Sequence, residues 1–549
     1  MMLRTVVLMV FVYILFAGLV VAQPQDRIER FGIFETELKT RESYSNPYIE
    51  FTAEVAVTPP DGSPSKRALL FWDGGNKWKF RFSPDKVGEW TWKVKSRDAG
   101  LNGAAGSFRC VDSSRAGSLQ PMTGHPLHFQ RQNGKPIWFL GDTAWALFLD
   151  SAAEKYDRAA ALAYVDARAE QDFNVLHTAL LSEAGWGNVG GMPFDDIAAE
   201  KLNLSYWQEV DLRLTHVNRR GLICGLALAW GDKRKQEPFA WRMFPDVAAR
   251  KRYARYIAAR YSAFDTYFLV SGEWHAEVRT RPSSTEEVKK EFIEIGDALH
   301  DADPHGRMIG IHPMTNEGSV REFVGTRWMA FGDYQQNYRA LHSRVLESRK
   351  TNRPVVNSEY GYFLRDQSGD GIPDKDNSTS LVAMRHATWD IVMAGGYAVT
   401  GFGTTYFGGN RDPGPFDLQT PKNDPWEEQI GLIKKTFDEF EWWKLVPHDE
   451  RLTCETPRGT EGKEFNQTVP PQCTYWCLAE PNHTYLVYYR GLEKPLTLKL
   501  PADSEKFAAT QLDPRTARRT ELSSAAQPDY VIHPPDKQDW IVLLTSAKQ

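Results

Sequence analysis

The 549-residue sequence has no basic stripe, and its net charge of −5 and pI of about 6.3 give no footprint for nucleic acid. After the first 22 residues, no apolar run is long enough to span a bilayer. Phosphate-binding, zinc-protease and serine-hydrolase signatures are missing too. The first apolar run of the central region ends in Gly141-Asp-Thr-Ala-Trp145, which is no phosphate loop. His residues never take the H-E-x-x-H spacing, and no G-x-S-x-G elbow occurs. Cysteine is scarce: Cys110, Cys224, Cys454, Cys473 and Cys477. The odd count leaves at least one free thiol, and Cys224, inside an apolar run, is expected to be buried and free. The other three C-terminal thiols lie close enough in sequence for one disulfide, while Cys473-x-x-x-Cys477 lacks zinc spacing. No internal repeat is evident.

Aromatics, by contrast, are abundant, at 12% with 18 Trp. Indole faces stack on the apolar faces of sugar rings, and large β-domains also bury Trp in their cores. Both uses are expected here. Met1 to Ala22 reads as a signal peptide: Arg4 is the positive region, Val6 to Val21 is apolar, and Val20-Val21-Ala22 suits cleavage. Export to a periplasm or the exterior is therefore expected, with no membrane attachment after cleavage.

At this length, two to four domains are expected. Residues 26–115 alternate at period two, as in Trp78-Lys-Phe-Arg-Phe82 and Trp90-Thr-Trp-Lys-Val94, and read as a β-sandwich. A polar linker around Asp112 to Gly124 follows. Residues 125–440 carry eight short apolar runs separated mostly by helical stretches. They begin at Pro136, Phe173, Gly221, Thr266, Met308, Trp328, Pro354 and Tyr397. Alternating strand and helix implies a parallel sheet, and eight units imply a closed (β/α)₈ barrel, with an open doubly wound sheet as the rival. Residues 445–549 return to β patterning and read as a second sandwich.

In such a barrel the active site lies at the C-terminal ends of the strands. The residues ending the eight runs include Asp142, His177, Trp230, Glu273, His312, Asp333, Gln335, Glu359 and Tyr406. Glu273 ends the fourth run and Glu359 the seventh. Strands four and seven face each other across a barrel mouth. Glycoside hydrolysis needs two such carboxyl groups, about 5–5.5 Å apart for retention and about 6.5–9.5 Å apart for inversion. A strand-end Glu taken alone is more often a solvated or salt-bridged loop residue; the pairing in a Trp-rich chain favours chemistry. Glu183, Asp142 and Asp333 are rival carboxylates, and Asp142 could instead cap a helix.

Several motifs carry a resemblance. Phe139-Leu-Gly-Asp-Thr-Ala-Trp145, Arg353-Pro-Val-Val-Asn-Ser-Glu-Tyr-Gly-Tyr362 and Trp442-Trp-Lys-Leu-Val-Pro447 resemble the apiosidase-like glycoside hydrolases. Phe80 to Trp92 resembles the β-sandwich often fused ahead of them, and Asp513-Pro-Arg515 with Asp539 to Leu544 resembles a domain type named for collagen binding. The resemblance implies a barrel with the acid/base at strand four and the nucleophile at strand seven. Those roles fall on Glu273 and Glu359. One departure stands: the earlier catalytic motif of the family more often carries Asp, where this chain has Ser271-Gly-Glu273.

The resulting expectation is an exported, retaining glycoside hydrolase acting on a plant or algal polysaccharide. Asp142, His177, His312, Gln335 and Tyr406 are expected to hold sugar hydroxyls, and Trp145, Trp186 and Trp274 to offer stacking faces. No cofactor is needed for this chemistry. The loop Asp366-Gln-Ser-Gly-Asp-Gly-Ile-Pro-Asp374 has calcium-loop spacing, with Asp366, Ser368, Asp370, Asp374 and the Ile372 carbonyl as ligands to a structural Ca²⁺. It lacks the bidentate Glu at position 12, where Asn377 sits, and a solvated acidic turn is the plain alternative. The rival functions are a non-catalytic carbohydrate-binding or adhesion protein, and a lyase or transglycosidase on the same barrel.

Overall fold

The computed structural model describes residues 27–152, 156–181, 187–231, 240–281, 283–314, 317–318, 320–336, 340–363, 379–401, 425–459, 473–501, 506–525 and 528–546. The signal-peptide reading of Met1 to Ala22, the calcium-loop reading of Asp366 to Asp374, Glu183, Trp186 and Tyr406 lie outside these residues.

The centre of the molecule is a parallel barrel. Its strands are β1 (Leu140–Thr143), β2 (Val175–Ala179), β3 (Ile223–Ala227), β4 (Thr266–Leu269), β5 (Ile309–Gly310), β6 (Gly332–Gln335), β7 (Val355–Asn357) and β8 (Tyr397–Thr400). Hydrogen bonding runs β5-β4-β3-β2-β1-β8-β7-β6, with Glu317–Gly318 added antiparallel beside β6. A parallel bridge between Ile309 and Met329, just before β6, nearly closes the ring. Six of the eight strands fall inside the eight apolar runs, and β1 and β6 begin inside theirs and run on by one and two residues. Strands buried on both faces read as continuous apolar stretches, which is why they are visible in sequence. Aromatic rings fill the interior: Tyr267 packs 5.6 Å from Phe331 and 6.2 Å from Phe139, centroid to centroid.

The outer helices are α1 (Arg158–Glu170), α2 (Leu204–Arg219), α3 (Val247–Tyr261), α4 (Thr285–Ala302), α5 (Leu341–Arg349), α6 (Leu381–Met393) and α7 (Pro425–Phe437). Their starts follow local chemistry. Asp157, Asp246 and Ser380 each accept a backbone N–H at a helix N-terminus, and Ser284 with Glu287 completes a capping box on α4. Among the described residues, no helix is long and apolar enough to cross a membrane.

Antiparallel sheets flank the barrel. Ahead of it, a five-stranded sheet (Arg27–Glu29, Ala105–Val111, Gly88–Lys95, Glu54–Thr58, Lys66–Leu69) faces a three-stranded one. Phe34, Phe80, Phe82, Trp90 and Phe108 form the core between them. The only parallel pair in these two sheets joins Arg27–Glu29 to Ala105–Val111. The stretch read as a polar linker ends in structure: Leu119–Met122 pairs with His125–Arg131, because Leu119 and Phe129 bury themselves against the barrel core. Behind the barrel, a six-stranded sheet built on Thr474–Glu480, Thr484–Arg490 and Trp540–Ser546 faces a three-stranded sheet. All five cysteines are free thiols, so the C-terminal disulfide expected from their spacing is not formed in this structure.

Both sandwiches are tied to the barrel by buried charge. Arg81 of the first pairs with Asp211 on α2 at 2.7 Å and donates to the Arg260 carbonyl at 3.0 Å, while Arg260 on α3 reaches Asp73 at 3.0 Å. Arg490 of the second forks onto Asp390 of α6 with two contacts of 2.8 Å, and Trp476 Nε1 donates to the same carboxylate at 2.8 Å. Arg385 of α6 forks onto Asp539 at 2.7 and 2.8 Å.

Candidate active site

The C-terminal ends of β2 to β7 converge on one cluster. Glu273 lies four residues past β4 and is buried, and Trp230, past β3, donates its indole N–H to Glu273 Oε2 at 3.0 Å. The contact depends on local backbone geometry. Trp230 bridges in parallel to Gly272, and a Cβ on Gly272 would stand 2.2 Å from the Trp230 ring. Only glycine permits that approach. Glu273 itself has φ of +39°, a left-handed conformation that is strained for a residue with a side chain. Strain of this kind persists where the surroundings over-determine it, and active sites are where it collects.

Glu359 follows β7 and is also buried. Gln335, at the end of β6, donates from Nε2 to Glu359 Oε1 at 2.5 Å. His312 places Nε2 3.3 Å from Glu359 Oε2, and its Nδ1 lies 2.9 Å from Ser358 Oγ and 3.3 Å from Asp333 Oδ2. Ser358 also donates to Asp333. Burial alone would push the His312 imidazole down, but the Asp333 and Glu359 carboxylates outweigh it and raise it to about 10. Asp333 is pushed up by the same burial, against the pull of His312. The two carboxylates therefore hold His312 in its protonated form, with Nδ1 toward Asp333 and Nε2 toward Glu359.

The two carboxylates are joined through aromatic contacts. The Trp230 ring lies 5.4 Å from His312, and Trp145 lies 4.4 Å from Trp230, 5.4 Å from His312 and 5.0 Å from His177. His177 is fully buried and lies 5.9 Å from Tyr267 of the barrel plug. Burial and the neighbouring His312 hold its imidazole well below the usual range, so it stays neutral. Glu273, Glu359, Trp145, His177, His312 and Gln335, all singled out in the sequence, are thus in one place.

Two sequence assignments are corrected. Asp142 was expected to hold a sugar hydroxyl. It is fully buried, and its carboxylate accepts from Arg168 Nε at 2.6 Å, Tyr164 OH at 2.8 Å and Thr400 Oγ1 at 2.7 Å. It ties β1 to α1 and β8 rather than facing a ligand. Trp274 was expected to offer a stacking face. It is fully buried against Phe323 and Phe292, on the helix side of the strand end. Trp230, Ser358 and Asp333 enter the site as partners that strand-end position alone did not distinguish. Asp333, a rival catalytic carboxylate in the sequence, is instead the buried anchor of His312. Among the described residues, no group of three or more His, Cys, Asp or Glu could hold a metal ion.

Comparison with known proteins agrees with this architecture. A family model described as "Apiosidase-like, catalytic domain" matches residues 125–444, and a domain of unknown function, DUF5060, matches residues 27–97. No curated protein matches. Among solved structures, a candidate glycoside hydrolase from Bacteroides vulgatus superposes with a TM-score of 0.72 at 16% identity, covering 95% of this chain and 100% of that one. A second protein, named simply a glycoside hydrolase, gives 0.62 at 15% identity over 79% of this chain and 98% of its own. A family 5 glycoside hydrolase, also from Bacteroides vulgatus, gives 0.59 at 16% identity over 79% and 94%. At such identities the likeness is one of fold.

Proposed function

The chain belongs to the apiosidase-like glycoside hydrolases, and on that premise we propose that it cleaves a glycosidic bond in a plant or algal polysaccharide with Glu273 as general acid/base and Glu359 as nucleophile. One observation carries the reading: carboxylates at the ends of β4 and β7 share a single aromatic-walled mouth, linked through Trp230 and His312. Gln335 donates to Glu359 and a protonated His312 stands at ion-pair distance from it, which together favour its ionised, nucleophilic form. The Trp230 N–H fixes one oxygen of Glu273 for proton delivery to the leaving group. Attack by Glu359 gives a glycosyl-enzyme ester. Water, deprotonated by Glu273, then releases the sugar with its configuration retained. Trp145 supplies a stacking wall, and His177 and Gln335 polar contacts. Processing at Ala22 would deliver the enzyme outside the cytoplasm, where its polymeric substrate lies.

The test is a release assay. Wild type, Glu273→Ala and Glu359→Ala are incubated with a panel of plant and algal polysaccharides and aryl glycosides, and reducing sugar is followed. Release by wild type that collapses in both variants is expected. Activity that survives either substitution overturns the assignment, and an unsaturated product absorbing in the ultraviolet would indicate a lyase.

A further inference from the structure

A large cavity lies at the other end of the barrel. It encloses about 1470 Å³ beneath the strand starts, with Trp138 before β1, Asp265 before β4 and Arg307 before β5 on its wall. Phe31 of the first sandwich and Trp443, beyond α7, also line it. That volume exceeds the roughly 300–1,000 Å³ of an ordinary small-molecule pocket and suits an oligosaccharide.

Charge on this wall is unbalanced. Each acid lining it has a basic partner: Glu35 with Arg81, Asp265 with Arg131, Asp438 with Lys434, Glu439 with Arg519, and Glu441 with Lys444. Three bases that line it have no ion pair among the described residues: Lys135, Arg219 and Arg307. Lys135 and Arg219 stand exposed at the rim. Arg307 is only 6% exposed, and among the described residues its side chain makes one hydrogen bond, from Nε to the Ser262 carbonyl at 2.6 Å. Asp303 binds the Arg307 backbone N–H rather than its guanidinium. Asp303, Asp265 and Asp85 act on the guanidinium from beyond ion-pair distance, so this guanidinium, more than nine-tenths buried and facing a cavity, is expensive unless an anion completes it.

The same cavity offers ring faces. Trp443 is half-buried and braced edge-on by Trp442 at 4.8 Å. Phe31 is half-buried and held at φ +63°, with the Arg30 guanidinium 4.6 Å from its ring centroid. Stacking faces beside surplus cationic donors match a sugar ring that carries an oxyanion.

We propose that this floor cavity is a second carbohydrate site, separate from the catalytic mouth, that binds an acidic oligosaccharide with its carboxylate or sulfate on Arg307 and a ring on Trp443. It would hold an acidic polymer on the enzyme while the mouth works on another part of it. The carbohydrate identity rests on the proposed function; the anion preference rests on the wall itself.

Calorimetric titration tests it on the full-length Glu359→Ala protein, with three probes: a hexameric oligouronate, its neutral methyl ester, and a sulfated hexasaccharide. Binding of the oligouronate, the sulfated hexasaccharide or both, with the ester at least tenfold weaker, is expected, and the stronger of the two names the oxyanion. Lys135→Glu/Arg219→Glu, both on the surface, should weaken acidic binding at least tenfold, and so should Trp443→Ala and Arg307→Gln. Equal binding of acid and ester, indifference to the surface double variant, or no binding of any probe overturns the site. Glu273→Ala/Glu359→Ala must bind as tightly as Glu359→Ala; loss there would place the ligand in the mouth. Because the readout is binding, it stands even where no hydrolytic activity is found.

Discussion

Buried carboxylates serve two different regions of this molecule, and their partners differ in kind. Along the seams between barrel and sandwiches, Asp390, Asp539 and Asp211 are gripped by forked arginines. At the mouth, the partners seen on Glu273 and Glu359 are an indole, an amide and an imidazole. Arginine never gives up its proton in the working pH range, so a seam carboxylate is locked as an anion. Indole and amide donors orient a carboxyl group while letting its protonation change, and imidazole can itself change charge. The contrast is one of described partners: the seam carboxylates are forked by permanent cations, and the mouth carboxylates also meet groups that orient them without fixing their charge. Asp142 sits at a strand end like Glu273 and Glu359, and its Arg168 partner gives it the character of a seam carboxylate.

Breaking the mouth should have the largest effect. Glu359→Ala and Glu273→Ala are each expected to lower turnover by about 10³-fold or more while the melting temperature stays within a few degrees of wild type. Steady-state kinetics and calorimetry on the same samples check both halves. Breaking a seam should do the reverse. Asp390→Ala leaves Arg490 buried and unpaired, so a loss of about 3–5 kcal/mol in stability is expected by chemical denaturation, with kcat near wild type at low temperature. Trp230→Phe keeps the ring and removes the N–H on Glu273; about a tenfold loss in kcat is expected, with a shift of the alkaline limb of the rate profile, the limb that reports the general acid, that a packing defect would not produce.

Acidity sharpens the comparison further. Burial raises the Asp390 and Asp539 carboxyls, but Arg490 on the one, and His386 with Arg385 on the other, hold both below the ordinary 3.8. A depressed carboxyl stabilises the fold above its unfolded value and loses that contribution as pH falls through the folded one. The seams should therefore weaken below about pH 4. His312 has the opposite sign. Its folded value is raised to about 10, so its contribution is complete below the ordinary 6.5 and fades as pH climbs toward 10. Melting temperature against pH should fall at the acid end in wild type and flatten there in Asp390→Asn. It should fall at the alkaline end in wild type and flatten there in His312→Asn.

Much of this was legible in the sequence, for identifiable reasons. Each barrel strand is buried on both faces, so each appears as an apolar run, and the polar residues that end such runs are the candidates for the mouth. Glu273 and Glu359 were found that way, as were His312 and Gln335. What stayed hidden depends on long-range partners and on single backbone angles. Asp142 looks like any strand-end acid until Arg168, 26 residues later on α1, closes on it. Trp274 looks like a cleft aromatic until it is seen fully buried against Phe323 and Phe292, while Trp230, 43 residues before Glu273, is the ring that donates to that carboxylate. The three C-terminal thiols are close in sequence, yet pairing requires Cβ atoms about 3.8 Å apart, which sequence spacing does not specify.

The most direct measurement is azide rescue on whichever substrate the release assay identifies. Azide is small enough to enter the space left by a truncated carboxylate and needs no general base. With Glu359→Ala, azide should replace the missing nucleophile and yield a glycosyl azide of inverted configuration. With Glu273→Ala, it should intercept the glycosyl-enzyme and yield the retained product, on an activated aryl glycoside that needs no acid to depart. Opposite anomers from the two variants, read by proton NMR, are the predicted result; the same anomer from both, or no azide dependence in either, would contradict the assignment of nucleophile and acid/base.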